Sequence, residues 1–238
     1  DMKVCLHMLR ATAYRKVQGR VCIDQAGWAA GIGTGDIGIC MNVMIQQARR
    51  LGSPLYILYM DLATFFPRIP RDIGSYCELL HGMPEEVAWL VALIYGGFNG
   101  EKPIGCRLDT AAGLSGPFEN WMGWLMGCVL SPDKAKIFLN TCLLAMKISM
   151  RGVPLFGFGA GGRFDSRVPG RGPTASQAAT VWRTIQQLVF GDDWAGMAMG
   201  ESETVRAWGR WVFWAECVNA KIGVKLKLKT VLTGVVWK

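Results

Sequence analysis

Histidine is almost missing from this chain: His7 and His81 are the only two in 238 residues. Neither has a cysteine or a second histidine at ligand spacing, which argues against a structural zinc site and against a histidine-based catalytic triad. Both read as ordinary surface or satisfied core residues. Closely spaced cysteines are missing too. Cys5, Cys22, Cys40, Cys77, Cys106, Cys128, Cys142 and Cys217 lie far apart, with no C-x-x-C pair and mostly in apolar company, the pattern of reduced, buried, intracellular thiols. No apolar run is long enough to cross a bilayer. The longest uncharged stretches, "VAWLVALIYGGF" and "WMGWLMGCVL", fall short of the roughly 20 residues required, so the chain reads as soluble, without a membrane partner. Acid is in short supply: 18 Asp and Glu face 26 Lys and Arg, a net charge of +8. The basic residues are scattered along the chain, a balance that suits a polyanion, nucleic acid before an anionic membrane surface. No signal peptide opens the sequence, and a first residue of Asp makes it read as a fragment or an excised domain.

What is present is apolar bulk. Hydrophobic residues make up 51% of the chain, enough for a sizeable core in one large domain or two small ones. There is no internal repeat and no linker that separates two domains.

Apolar residues at Ile37, Met41, Met44, Ile45 and Ala48 predict an amphipathic helix over 36–50, stopped near Gly52. "PLYILYMDL" follows a Gly-Ser-Pro turn and reads as a buried strand with Asp61 at its end. A second helix is expected over "MPEEVAWLVALIYGG", with Glu85 and Glu86 at its positive end. Residues 102–110 read as extended. "SPDKAKIFLNTCLLAMKISMRG" predicts a helix with Ser131 as N-cap, Pro132 in the first position and Asp133 in the first turn. Residues 157–173, rich in glycine and arginine, read as a surface loop, and 174–188 resume a helical pattern. "LVFGDDWAGMAM" reads as a β-hairpin with two aspartates at its tip. A long helix with tryptophans on its buried side is expected over 202–223, and a half-exposed strand over 224–236. Helices interleaved with a small, mostly antiparallel sheet make an α+β architecture.

Taken alone, an Asp-Asp pair at a hairpin tip is a solvated turn. Asp61 changes its meaning, because a strand-end aspartate and a hairpin-tip pair converge if their strands are neighbours. Three carboxylates brought together repel one another unless cations neutralise them. Mg²⁺ does so with hard oxygen ligands, using one or two protein carboxylates while substrate phosphates and waters complete its shell. Two such ions about 4 Å apart support an in-line displacement at phosphorus.

"YMDLATFFPRI", "GWLMGCVLSPDKAKIFLN", "VFGDDWAG" and "GVKLKLKT", in that order, resemble motifs A, B, C and D of reverse transcriptases, nearest in pattern to the non-LTR retrotransposon (LINE-like) and group II intron branch. "DQAGW" at 24–28 resembles the Q-x-G-F segment of that branch. The likeness runs from about Val21 to Val236. It implies a polymerase right-hand palm with partial fingers, divided as a fingers region over 1–54 and a palm over 55–238, with a fingers-like insertion about 68–110 and no thumb. It also implies Asp61 and Asp192 as catalytic metal ligands, with Asp193 as a less critical neighbour and Leu62 supplying a carbonyl beside Asp61. Phe66 would be the aromatic gate that crowds a ribose 2′-hydroxyl. Gly127, Ser131 and Pro132 would position template and incoming nucleotide, and Lys229, with Lys225 and Lys227 on the same strand as alternatives, would donate a proton to pyrophosphate. The implied cofactor is Mg²⁺, or Mn²⁺, and the implied partners are an RNA template, a DNA or RNA primer, dNTPs and the flanking domains of a larger polyprotein, in an intracellular setting, nucleus or cytoplasm.

RNA-dependent RNA polymerases also carry Gly-Asp-Asp, but place a second aspartate about five residues after the first motif's aspartate to accept a bond from the 2′-hydroxyl. Phe66 stands there in this chain, and an apolar ring favours DNA synthesis. The chain departs from the branch at Met126, where the pattern has glutamine, and in the missing upstream arginine-bearing finger motif. Two non-catalytic readings stay open beside the polymerase: a decayed or domesticated nucleic-acid-binding fragment, and a basic structural protein of a ribonucleoprotein.

Overall fold

The computed structural model describes residues 2–22, 24–29, 31–62, 64–96, 102, 105–107, 109–120, 122–125, 127–157, 180–219 and 231–235. In chain order the elements begin with a helical segment formed by α1 (Met2–Leu9), a π-helical stretch (Arg10–Tyr14) and α2 (Arg15–Gln18). They continue with α3 (Thr34–Arg50), β1 (Leu55–Met60), α4 (Phe65–Arg68), α5 (Arg71–Leu80) and α6 (Glu85–Tyr95). Four two-residue strands follow: β2 (Gly105–Cys106), β3 (Asp109–Thr110), β4 (Gly113–Leu114) and β5 (Phe118–Glu119). The remainder is α7 (Ser131–Ser149), β6 (Val153–Gly157), β7 (Thr180–Ile185), β8 (Gln187–Phe190), β9 (Asp193–Ala198), α8 (Glu201–Cys217) and β10 (Val231–Val235). The mixed α+β class expected from the sequence is the class observed.

The chain divides into two compact units. The first comprises Asp1–Cys22, Leu62–Cys142 and Trp214–Lys221, and the second Ile23–Asp61, Leu143–Phe213 and Ile222–Lys238.

The second unit is built on a four-stranded antiparallel sheet in the order β10-β1-β9-β8. β1 is central because its residues, LYILYM, are apolar on both faces and pair on both edges. One face is covered by α3, whose Met44 and Ala48, one turn apart, are fully buried against Leu55, Ile57, Leu188, Ala195 and Met197. Ile37, Met41 and Ile45 complete the apolar stripe read from the sequence. At the helix start, Asp36 accepts the Gly33 N–H at 2.7 Å and so satisfies an orphan donor. On α8, Trp211 meets Trp194 of β9 at 5.8 Å between ring centroids, both fully buried, so the tryptophans do face inward.

The expected helix over 174–188 is not what forms. Its described part is strand: β7 pairs antiparallel with β6 and Gln187 already opens β8. TVWRTI is rich in β-branched residues, which lose side-chain freedom in a helix and fit a pleated ladder. The rest of that stretch, the surface loop beyond Gly157, and the strand expected from 224 up to Val231 lie outside the described residues.

The first unit is largely helical. Its interior is an aromatic chain in which Phe138 of α7 meets Phe65 at 6.3 Å, Trp124 at 6.3 Å and Trp214 at 5.4 Å. Gly74 is there because a Cβ would lie 2.4 Å from the Trp124 ring. α7 carries charge into this interior: Lys134 donates to Glu78 at 2.5 Å, Glu78 also accepts from Tyr14 at 2.8 Å, and Lys134 lies 4.9 Å from the Trp124 ring centroid. Burial, reinforced by the Glu78 carboxylate, raises the Tyr14 hydroxyl well above its ordinary value. Asp133, also fully buried, pairs with Arg10 at 2.6 Å and is bonded by Gln18. Burial raises its pKa, and Arg10 opposes that rise. His81 is a satisfied core residue between Asn140, at 2.6 Å, and the Cys77 carbonyl, at 2.7 Å, while His7 is exposed.

The cysteines are free, as expected, but not uniformly buried: Cys5 and Cys217 are exposed and Cys40, Cys106 and Cys128 half-buried. Helix face decides this for Cys5, Cys40 and Cys217, while Cys106 lies in β2 and Cys128 in the loop before α7. Burial pushes the Cys77 thiol up to about 11 from its ordinary 9.0, and Cys142 well above that ordinary value. A folded protein that keeps a proton the unfolded chain releases has this stabilisation in full below pH 9 and loses it as pH rises towards the folded-state value. Thermal midpoints are therefore expected to stay level up to pH 9 and to fall between pH 9 and about 11, with Cys77→Ala flattening part of that fall.

Candidate nucleotidyl-transfer site

Two segments distant in sequence meet on the central sheet of the second unit. β1 runs antiparallel to β9 with Tyr59 opposite Ala195 and Met60 opposite Trp194. Asp61 follows the last residue of β1 and Asp193 opens β9, so both lie at the end of the pair where Met60 meets Trp194. Phe190 pairs with Asp193 across the hairpin, so Gly191 and Asp192 alone make its turn. The three aspartates therefore lie at one end of neighbouring strands.

Their surroundings differ. Asp61 is 8% exposed, Asp192 is half-buried and Asp193 is exposed. Directly opposed like charges destabilise an antiparallel pair, and a carboxylate as buried as Asp61 is stabilised by a cation or by donated hydrogen bonds.

The turn is tied to a third segment. Asp24 and Ala26 run alongside β8, with Val189 N–H donating to the Asp24 carbonyl at 3.0 Å and Ala26 N–H to the Val189 carbonyl at 2.8 Å. Asp24 is itself held by Lys147 at 3.1 Å. Within the hairpin the Trp194 indole N–H donates to Gln187 at 2.9 Å, and Gln187 donates to the Leu143 carbonyl at 3.0 Å. In sequence, "DQAGW" carries only a likeness. Its contact with the Gly-Asp-Asp turn was not legible, because a parallel bridge between residues 25 and 189 leaves no local trace.

Leu62, Phe66, Gly127, Ser131 and Pro132 belong to the first unit. Leu62 is 2% exposed. Phe66 is half-buried and meets Phe65 edge-on at 5.6 Å. Gly127 adopts φ +86 with open space where a Cβ would stand, so glycine is required there by backbone conformation and not by crowding. Ser131 is not the cap placed before the helix. It is the first residue of α7, and its hydroxyl donates to the Leu125 carbonyl at 2.8 Å, which ties the preceding turn down. Pro132 is the second residue of α7 and half-buried. Lys225, Lys227, Lys229 and Met126 lie outside the described residues.

Among the described residues, no group of three or more His, Cys, Asp or Glu side chains is arranged to hold a metal ion. A cage made by protein alone is therefore not present among them. The donors at the strand ends are hard carboxylate oxygens, one of them buried, which fit a Mg²⁺ whose shell is completed by substrate oxygens and water. Among the described residues, too, no helix is long and apolar enough to cross a membrane.

The α+β fold of the chain is shared by solved structures. The chain is similar to apo telomerase from Candida tropicalis truncated from its C-terminal domain, at a TM-score of 0.58 and 10% identity, covering 99% of this chain and 40% of that one. It is also similar to telomerase from Candida albicans, determined in complex with a TWJ fragment of telomeric RNA, at a TM-score of 0.51 and 12% identity, covering 97% of this chain and 33% of that one. The chain thus shares its fold with these telomerase chains and spans two fifths or less of their length. No protein-family model matches the sequence, and no curated protein does.

Proposed function

We propose that the chain is the fingers-and-palm part of an RNA-directed DNA polymerase of a retroelement, which adds dNTPs to a primer 3′-hydroxyl on an RNA template. The observation that carries the reading is the register of β1 on β9, which brings Asp61 to the same sheet end as Asp192 and Asp193, in a chain whose fold is similar to telomerase. The ordered motif set, with its non-LTR and group II intron pattern, supports the retroelement assignment.

In this reading Asp61 and Asp192 hold Mg²⁺ or Mn²⁺, and Asp193 adds negative charge beside them. An ion held by Asp61 and Asp192 would supply Lewis-acid chemistry, lowering the pKa of a 3′-hydroxyl and offsetting the charge that develops on the phosphate oxygens. The chain's own share is orientation: a buried strand end and a two-residue turn fix where the carboxylates stand before substrate arrives, so little reorganisation is needed during reaction. Phe66 excludes the ribose 2′-hydroxyl, Gly127, Ser131 and Pro132 shape the nucleotide and template seat, and Lys229 donates a proton to the departing pyrophosphate. The net positive charge of +8 favours template and primer phosphates, with an affinity that falls as salt rises.

The test is primer extension on an RNA template with Mg²⁺ or Mn²⁺, comparing dNTPs with NTPs. Incorporation of dNTPs that Asp61→Asn removes is the expected result, with Phe66→Ala raising NTP use at least about tenfold, the equivalent of about 1.4 kcal/mol of lost discrimination. Salt-dependent RNA binding by a folded chain that incorporates nothing would replace this reading with that of a non-catalytic nucleic-acid-binding chain.

A further inference from the structure

We infer that Gln25 and Gly27 form a latch that fixes the direction of the Asp192 carboxylate, making Gln25 a positioning residue for metal binding; the inference rests on the polymerase reading of the Asp61 and Asp192 pair. Gln25 is 4% exposed, and its amide is used at both ends. Nε2 donates to the Gly191 carbonyl at 3.0 Å, while Oε1 accepts the Gly191 N–H at 3.3 Å and the Gly27 N–H at 2.9 Å. One side chain thus answers both backbone groups of Gly191, the residue that precedes Asp192, as a neighbouring strand would.

Gly27 is the second half of the latch. A Cβ there would lie 2.0 Å from the Gly191 nitrogen and 2.7 Å from its Cα, closer than any side chain tolerates, so only glycine lets the two backbones meet. Gly191 has φ +70, a conformation that glycine adopts without strain, and its Cα faces the Trp28 ring, which a Cβ would approach to 3.4 Å. Amide, close approach and indole converge on one peptide.

The arrangement matters because the turn is so short. In a two-residue hairpin, rotation of the Gly191 peptide swings Asp192 directly, with no intervening residue to absorb it. A carboxylate that must share an ion with Asp61 has to keep its direction within a few tenths of an ångström, and supporting hydrogen bonds supply that precision. Bonds within β8 and β9 hold the arms of the hairpin; the Gln25 amide holds its tip.

The experiment uses the whole chain and Mn²⁺ as the probe. Mn²⁺ binding is followed by electron paramagnetic resonance, and local opening by amide hydrogen exchange, for the wild type, Gln25→Met, Gln25→Glu, Gly27→Ala and Asp192→Asn. The latch predicts that Gln25→Met weakens Mn²⁺ binding about tenfold, the loss typical of a removed supporting contact. It also predicts faster exchange at Gly191 and Asp192, with exchange in β1 and α3 unchanged. Wild-type Mn²⁺ affinity in a folded Gln25→Met or Gln25→Glu chain, while Asp192→Asn has lost it, overturns the latch and leaves the polymerase reading standing. Wild-type affinity in Asp192→Asn overturns both. Should Gln25→Met fail to fold, Gln25→Glu keeps the volume and the acceptor but loses the donor to Gly191 at neutral pH, and its Mn²⁺ affinity decides the same question.

Discussion

Asp192→Asn is expected to lower dNTP incorporation about a thousandfold, the order of loss seen when one preorganised electrostatic group is removed from an active site, while leaving the fold intact. Asparagine has the shape of aspartate and suits a hairpin turn equally well, so the substitution removes charge and little else. The pairing of β1 with β9, which brings Asp61 to the sheet end that carries Asp192 and Asp193, also predicts the sign of the stability change. Without a divalent ion, removing one of three neighbouring negative charges relieves repulsion, so the thermal midpoint should hold or rise slightly. With Mn²⁺ present, the wild type should gain stability by mass action and the variant should not. A midpoint that drops sharply without metal would mean that Asp192 holds the fold together through its own hydrogen bonds, and the catalytic assignment would pass to Asp61 and Asp193. Single-turnover extension beside thermal unfolding, each with and without Mn²⁺, measures both quantities.

Lys134→Met is expected to have the largest effect on stability. Lys134 and Glu78 are 2% and 0% exposed and lie 2.5 Å apart. Removing one member of such a pair leaves the other charged in a low-dielectric interior, a cost of about 3–5 kcal/mol. For a chain of this length that corresponds to a fall of roughly 10 °C in melting midpoint. Glu78 also accepts from Tyr14, so the orphaned carboxylate keeps one donor and the loss should sit towards the lower end of the range. Glu78→Leu combined with Lys134→Met should recover most of it, because two apolar side chains of similar volume carry no desolvation penalty. Thermal denaturation of the two single variants and the double variant separates these terms. Equal midpoints for Lys134→Met and the wild type would show that solvent reaches Glu78 in the folded chain.

The amphipathic helix α3, the buried strand β1 and the hairpin β8-β9 could all be read in sequence because each depends on short-range pattern. Met44 and Ala48 are one turn apart, LYILYM is a continuous apolar run, and Gly-Asp-Asp between apolar arms is a turn by composition. The strand β7 has no such local signal, because a β-branched hexamer finds its partner, β6, more than twenty residues away, beyond the reach of any local periodicity. α5 carried no strong signal either: its buried Arg71 and Glu78 look like surface residues in sequence, and only their contacts make them core. Arg71 donates to the Gly123, Tyr95 and Gly96 carbonyls at 2.8, 2.9 and 3.2 Å.

The candidate site divides along the same line. Residue type and order determined that Asp61, Asp192 and Asp193 were available and that the chain was basic enough for a polyanion, since each of these is a property of composition and position along the chain; the place of Phe66 came from the resemblance to polymerase motifs. Tertiary structure alone decided that β1 and β9 are neighbours, with Met60 opposite Trp194, and that Gln25 reaches across 166 positions to grip Gly191. Strand order and long-range side-chain contacts depend on how apolar faces are buried together, and that is settled by the whole core at once and not by any single segment.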